Sequence, residues 1–263
     1  MDRKAVDVLL QQWRREESEP FEGWDFSHIA GRYVEEQPPW SYMEMAKKLM
    51  LQSTAVLDLG TGGGEKLLAM KDCFPRRVVA TEGYPPNLTL ARRRLLPHGV
   101  EVVEAEESLE GKLPFANGEF DLVIDRHSAY NASEVARVLK PRGVFLTEQV
   151  DGRSLMDLHR EFGYEPQWTF FTLEYALELI KPTELVVIDA REWEGKTVFR
   201  DVGALVYFLK AIPWIVQGFT VETHFKQLMK LQERLEKEGQ LTFAERLLLI
   251  KAEKFKCKHT FHN

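Results

Sequence analysis

From Ala55 to Gln149, short apolar runs alternate with segments whose apolar residues recur every three or four positions. The runs Ala55–Leu59, Val78–Glu82, Val100–Glu104, Leu122–Asp125 and Val144–Gln149 are nearly continuous in apolar character, as strands buried on both faces require. Helical patterns at Glu65–Phe74, Pro86–Leu96 and Ser133–Leu139 lie among them, so the rhythm reads as repeated strand–helix units and a parallel sheet. Upstream, Val6, Leu9, Leu10 and Trp13 recur at helical spacing, and Ser41 with Glu44 forms the capping-box spacing of a second helix over Tyr42–Leu51. Between these two helices, Pro20 to Trp40 is aromatic yet loop-like. Downstream, a helix from about Thr172 stops at Pro182, and a sixth strand covers Leu185–Ala190. Helices at Asp201–Lys210 and Thr220–Glu238, the second closed by Gly239, precede a seventh strand at Leu247–Ala252. The pattern predicts an α/β, doubly wound, mostly parallel seven-stranded sheet with N-terminal helices and a helical insertion before the last strand. The expected segments are 1–52 (N-terminal helices and lid), 53–200 (core), 201–240 (helical insertion, a substrate cap) and 241–263 (last strand and tail).

The first strand runs straight into glycines, "VLDLGTGGGE" from Val56 to Glu65. Glycine there lets backbone N–H groups approach a ligand with no Cβ in the way. The stretch lacks the Gly-Lys pair of a phosphate-binding P-loop, and Glu65 stands where a dinucleotide fingerprint needs its third glycine. What remains is G-x-G-x-G from Gly60 to Gly64, with Asp58 two residues before it. Glu82 closes the next strand, where a carboxylate can accept both ribose hydroxyls of a nucleoside, and "EAEE" at Glu104 to Glu107 closes the third.

With these motifs in order, the chain resembles the class I (Rossmann-like) S-adenosylmethionine-dependent methyltransferases. "VLDLGTGGG", "VVATEG", "EAEESLEGKLPF", "FDLVIDRH" and "VARVLKPRGVFLTEQV" look like the family's five motifs, over about Ala55 to Gln149. "WDFSHIAGRY", "RHSAY" and "DVGALVYFLKAIPW" look like a bacterial subgroup of it. "EAEE" departs from the family's more usual Asp-Ala-Glu type of sequence, and "SLEGK" is longer than usual before "LPF". The resemblance implies S-adenosylmethionine as cofactor. It places Asp58 on the methionine ammonium and Gly60, Thr61 and Gly62 under the methionine and ribose. Glu82, with Gly83 beside it, falls on the ribose diol, and Glu104 with the Ala105 N–H on the adenine edge. Asp125 joins the cofactor set, and Arg32 is the candidate partner for the cofactor carboxylate. A cationic sulfonium ligand bearing an ammonium suits an acid-rich rim better than a pyrophosphate does.

Ligands of doubly wound sheets lie beyond the carboxyl ends of the strands, so "IDRHSAY" after the fourth strand should face the methyl group. Its candidates are Asp125, Arg126, His127, Ser128 and Tyr130, and His127 is the catalytic candidate because an ordinary imidazole titrates near neutrality. As a general base it would give a rate rising through about pH 6–7, and as a hydrogen-bonding residue it would not. No Asn/Asp-Pro-Pro-aromatic motif follows this strand and no Pro-Cys occurs, which disfavours adenine or glutamine amino-methylation and cytosine C5 chemistry.

The 263 residues are 44% hydrophobic and 29% charged, an ordinary globular balance, with a formal charge of −6 that argues against nucleic acid as partner. Cys73 and Cys257 stand far apart, which indicates neither a disulfide framework nor a zinc site and fits a reducing cytoplasm. Val202 to Phe219 is apolar but contains Lys210 and Pro213, too interrupted for a membrane span. The expected activity is methyl transfer to a small molecule, by a monomer or a dimer. The alternatives are a non-catalytic protein that binds or senses S-adenosylmethionine and, further off, methylation of RNA or protein.

Overall fold

A computed structural model of the chain describes residues 3–106 and 108–255. Glu107, Cys257 and the end of the basic run at 256–259 lie outside the described residues. In chain order the elements are α1 (Arg3–Ser18), β1 (Tyr33–Glu35), α2 (Tyr42–Met50), β2 (Ala55–Leu59), α3 (Glu65–Leu68), β3 (Arg77–Glu82), α4 (Pro85–Leu95) and β4 (Glu101–Glu104). There follow β5 (Phe120–Arg126), α5 (Ala132–Val138), β6 (Leu139–Val150), α6 (Met156–Glu161), α7 (Leu173–Ile180), β7 (Leu185–Phe199), α8 (Val202–Ala211), α9 (Phe225–Glu238) and β8 (Leu241–Lys254). Hydrogen bonding orders the strands β1-β7-β8-β6-β5-β2-β3-β4. Strands β2 to β6 pair in parallel, and β8 joins β6 antiparallel. The eighth strand, absent from the sequence expectation, is β1, whose three residues are too few to carry a period.

The chain forms two compact units. The larger comprises the described residues of 39–151, 170–193 and 247–255. Successive side chains of a strand point to opposite faces, and here they feed two cores. Val56, Leu122, Ile124 and Leu146 join Ala46 and Met50 of α2, Leu67 of α3 and Leu95 of α4. Leu57, Val123 and Phe145 join Val135 of α5 with Ala176 and Ile180 of α7. Helices thus cover both faces of a sheet whose β2 is buried throughout, the doubly wound arrangement.

The smaller unit comprises 1–38, 152–169 and 194–246. Nine of the ten residues of α8 are buried in it, as an all-round apolar helix requires. Trp13 of α1, Leu228 and Leu231 of α9 and Phe199 and Phe243 of the two long strands pack in the same cluster. Val202, Leu205, Val206 and Phe208, the apolar residues expected to line a cap, are therefore core of this unit, while Trp214 is exposed. The aromatic N-terminal stretch divides at Pro38: Phe26 and Tyr33 pack in this cluster, Trp40 and Tyr42 in the larger unit. Among the described residues no helix is long and apolar enough to cross a membrane.

Candidate active site

The glycine turn is held by the strand beside it. Thr61 N donates to Thr81 O at 2.8 Å, Gly60 N to Thr81 Oγ1 at 3.2 Å, and Gly62 N to Glu82 Oε2 at 2.7 Å. Two glycines are required for different reasons. Gly62, at φ +61°, has no atom of the described residues other than its chain neighbours within 4 Å of where a Cβ would stand, so its face is open. Gly64, at φ +84°, would place a Cβ 2.9 Å from the Leu95 side chain, so its role is close approach to α4. The helix expected over Glu65–Phe74 is a single turn, α3, followed by a separate 3₁₀ turn at Lys71–Cys73. So short a helix lends little dipole to a ligand, and the character of the turn comes from Gly62 and the carboxylates around it.

Those carboxylates lie along the carboxyl ends of the strands. Asp58 is buried in β2. Glu82, 6% exposed, accepts from Gly62 N through one oxygen and from Tyr84 N at 2.8 Å through the other. Burial raises its pKa, and the hydrogen bonds from Tyr84, Gly62 and Gly83 restrain the rise. Glu104 is the register partner of Glu82 and exposed, and Ala105 N reaches Glu82 O at 3.4 Å. The Thr61 hydroxyl is buried with no hydrogen-bond partner among the described residues, a polar atom on the same turn.

At the ends of β5 and β6 the side chains form a second group. Asp125, fully buried, accepts from Ser128 N at 3.3 Å and from Gln149 Nε2 at 3.1 Å. Glu148, 3% exposed, accepts from Arg126 Nε at 2.9 Å and from the Trp40 indole N–H at 2.7 Å. His127 has a left-handed backbone, φ +61°, with its N–H on Glu148 O at 2.9 Å. Its side chain keeps 23% of its exposure, yet Nε2 is buried, lacks a hydrogen-bond partner among the described residues and lies 3.7 Å from Glu148 Oε1. Burial, then the charges of Arg126 and Lys66, push the imidazole pKa well below its ordinary value, so the ring is neutral. The expected titration therefore moves below the pH 6–7 range of a solvated ring.

Tyr42 brings a buried, unpartnered hydroxyl from α2, its pKa raised by burial and then by the charges of Asp58, Asp125 and Glu148. The Tyr130 ring instead packs on Phe145, centroids 4.9 Å apart, in the core under α5 and α7. Arg32 belongs to the smaller unit, where its guanidinium is bound by Glu16 at 2.7 Å and Asp201 at 3.2 Å. Glu148 was not singled out from the sequence, and Tyr42 only as one aromatic of the stretch read as a lid. Extending the strand-end rule to Val144–Gln149 would have found Glu148, whereas Tyr42 enters through a helix and leaves no local signal.

Comparison with known proteins follows the same segment of chain. Residues 56–143 match the family described as Methyltransferase domain. The chain is 23% identical to the uncharacterized methyltransferase YcgJ of Bacillus subtilis over 195 residues, 72% of this chain and 74% of that protein. It is 36% identical to the demethylmenaquinone methyltransferase of Thermus thermophilus over 96 residues, 34% of this chain and 43% of that one. The crystal structure of Bacillus subtilis YcgJ superposes with a TM-score of 0.54 at 19% identity, covering 81% of this chain and 99% of that chain.

Proposed function

We propose that this chain, whose residues 56–143 match the family described as Methyltransferase domain, moves a methyl group from S-adenosylmethionine to a small molecule by in-line displacement. The observation that carries this reading is the open face of Gly62, flanked by the Glu82 carboxylate and the unpartnered Thr61 hydroxyl. A side chain at Gly62 would enter the space a nucleoside needs. Asp58 would take the methionine ammonium and Glu82, beside Gly83, the ribose diol. Glu104 and the Ala105 N–H would border the adenine, and Asp125 would belong to the same cofactor set. This donor set is acid-rich and suits a cation.

Bound there, S-adenosylmethionine supplies a methyl carbon already activated by its sulfonium, so alignment provides much of the catalysis. Held by Asp58, Gly62 and Glu82, the donor would offer that carbon to an acceptor lone pair, and its sulfur would keep the electron pair of the C–S bond. His127, neutral and with Nε2 unpartnered, can orient the acceptor or, in its Nδ1-protonated tautomer, take the acceptor's proton. Incubating the protein with methyl-labelled S-adenosylmethionine and a metabolite extract tests the reading, with label expected in a small-molecule fraction identifiable by mass. Label that stays on a tightly bound donor would instead make the protein a sensor. Label in RNA or protein would overturn the acceptor class.

A further inference from the structure

We propose that two copies of this chain associate through the open edge of β7, strand to antiparallel strand, about a two-fold axis at Ala190. On that edge β1 pairs only with Thr197 to Phe199, extended by Glu36 N on Lys196 O at 2.9 Å, and Pro38 ends the ladder because it has no N–H to give. From Leu185 to Gly195 the outer edge of β7 has no neighbouring strand among the described residues. The strand is regular over this length: Val186, Ile188, Ala190, Glu192, Glu194 and Lys196 are all exposed, while Leu185, Gly195 and Thr197 are buried. The bonds to β1 are made by Lys196 O and Arg200 N, so the even-numbered residues turn their backbone groups outward on this edge. Period two extends that to Ile188, Ala190 and Glu192.

An open edge with exposed Val186 and Ile188, 47% and 54% exposed, invites another strand. Charge selects the partner and the register. Asp189 and Arg191 already form an ion pair along the strand, Nη2 to Oδ2 2.6 Å. A two-fold at Ala190 sets Asp189 opposite Arg191 of the second copy and closes four alternating charges, an arrangement that cross-strand pairing favours. The same axis sets Val187 opposite Trp193. A two-fold at Asp189 or Arg191 would instead oppose like charges, and one at Ile188 would leave both charges facing apolar residues. On the face that carries Asp189 and Arg191 the edge is thus complementary to itself, as an isologous contact requires.

Sedimentation of the purified full chain from nanomolar to its highest soluble concentration tests this. The expected mass rises from one chain to two. Ala190→Pro removes an outward N–H and leaves the ladder to β8 untouched, so it should give monomer throughout. Arg191→Asp should do the same by opposing like charges, and Asp189→Arg combined with Arg191→Asp should restore the dimer. Circular dichroism reports whether each variant folds, and Arg191→Asp decides alone if the proline variant does not. A wild type that stays monomeric overturns the proposal, as does a dimer that survives Arg191→Asp. A double variant that stays monomeric overturns the charge-selected register.

Discussion

His127 holds a left-handed backbone that costs a non-glycine residue on the order of 1–3 kcal/mol, and its N–H bond to Glu148 O keeps it there. A strained residue whose buried ring nitrogen lacks a partner is the arrangement expected where a ligand completes the contact. Since burial, Arg126 and Lys66 keep the imidazole neutral, acidification to about pH 6 should not protonate it. The rate should therefore show no step from His127 between about pH 6 and 8, while His127→Ala lowers turnover by roughly 10²–10⁴-fold if the ring accepts the proton and much less if it only positions the acceptor. A rate rising through neutrality that flattens in the variant would contradict the neutral ring. Asp58, Gly62 and Glu82 were legible in the sequence because a strand end and a tight turn are local events. The protonation of His127 was not, because it depends on burial and on Lys66, remote in the chain.

At the scale of elements, the turn after β2 joins two requirements that the sequence shows only as a glycine run. Gly62 faces open space and Gly64 faces α4, so their substitutions should separate. Gly64→Ala puts a methyl group against Leu95 in a backbone that alanine resists, and should cost about 1–3 kcal/mol in urea unfolding. An unchanged midpoint would mean that α4 yields freely. Strands β2 to β4 and helices α4 and α5 were read from periodicity to within one residue, as with the Ser41 cap of α2, whereas β5 and β6 begin two and five residues before their expected starts. The failures are where charge hides a period. Strand β7 was expected to stop at Ala190, but "REWEGK" continues it to Phe199, and β8 begins six residues before its expected start, at Leu241. Helix α3 breaks after one turn although its apolar spacing continues.

Across the whole molecule, the smaller unit is assembled from three stretches remote in sequence, a grouping that periodicity within any one of them does not register. The larger unit has a pin of comparable reach. Asp121 accepts from Thr54 N at 2.9 Å, Ala55 N at 2.8 Å and Lys140 Nζ at 3.0 Å, tying the start of β2 to β5. Burial alone would raise this carboxyl, but bonds from Thr54 and Lys140 outweigh it and hold the pKa at about 2, against an ordinary 3.8. A depressed acid stabilises the fold fully above its unfolded value and loses that contribution as pH falls toward its folded value. Asp121→Asn should thus lower stability by about 2 kcal/mol at neutral pH, with the difference from wild type closing between pH 3.8 and about 2 in urea unfolding. A difference independent of pH would assign the effect to packing. The central claim, that the Gly62–Glu82 cradle holds S-adenosylmethionine, is tested most directly by calorimetric titration with its demethylated product. Binding in the micromolar range, about −8 kcal/mol, is predicted for the wild type, and Glu82→Ala should weaken it by about 1.5–3 kcal/mol. Heat from NAD with none from the demethylated product, or an affinity indifferent to Glu82→Ala, would contradict it.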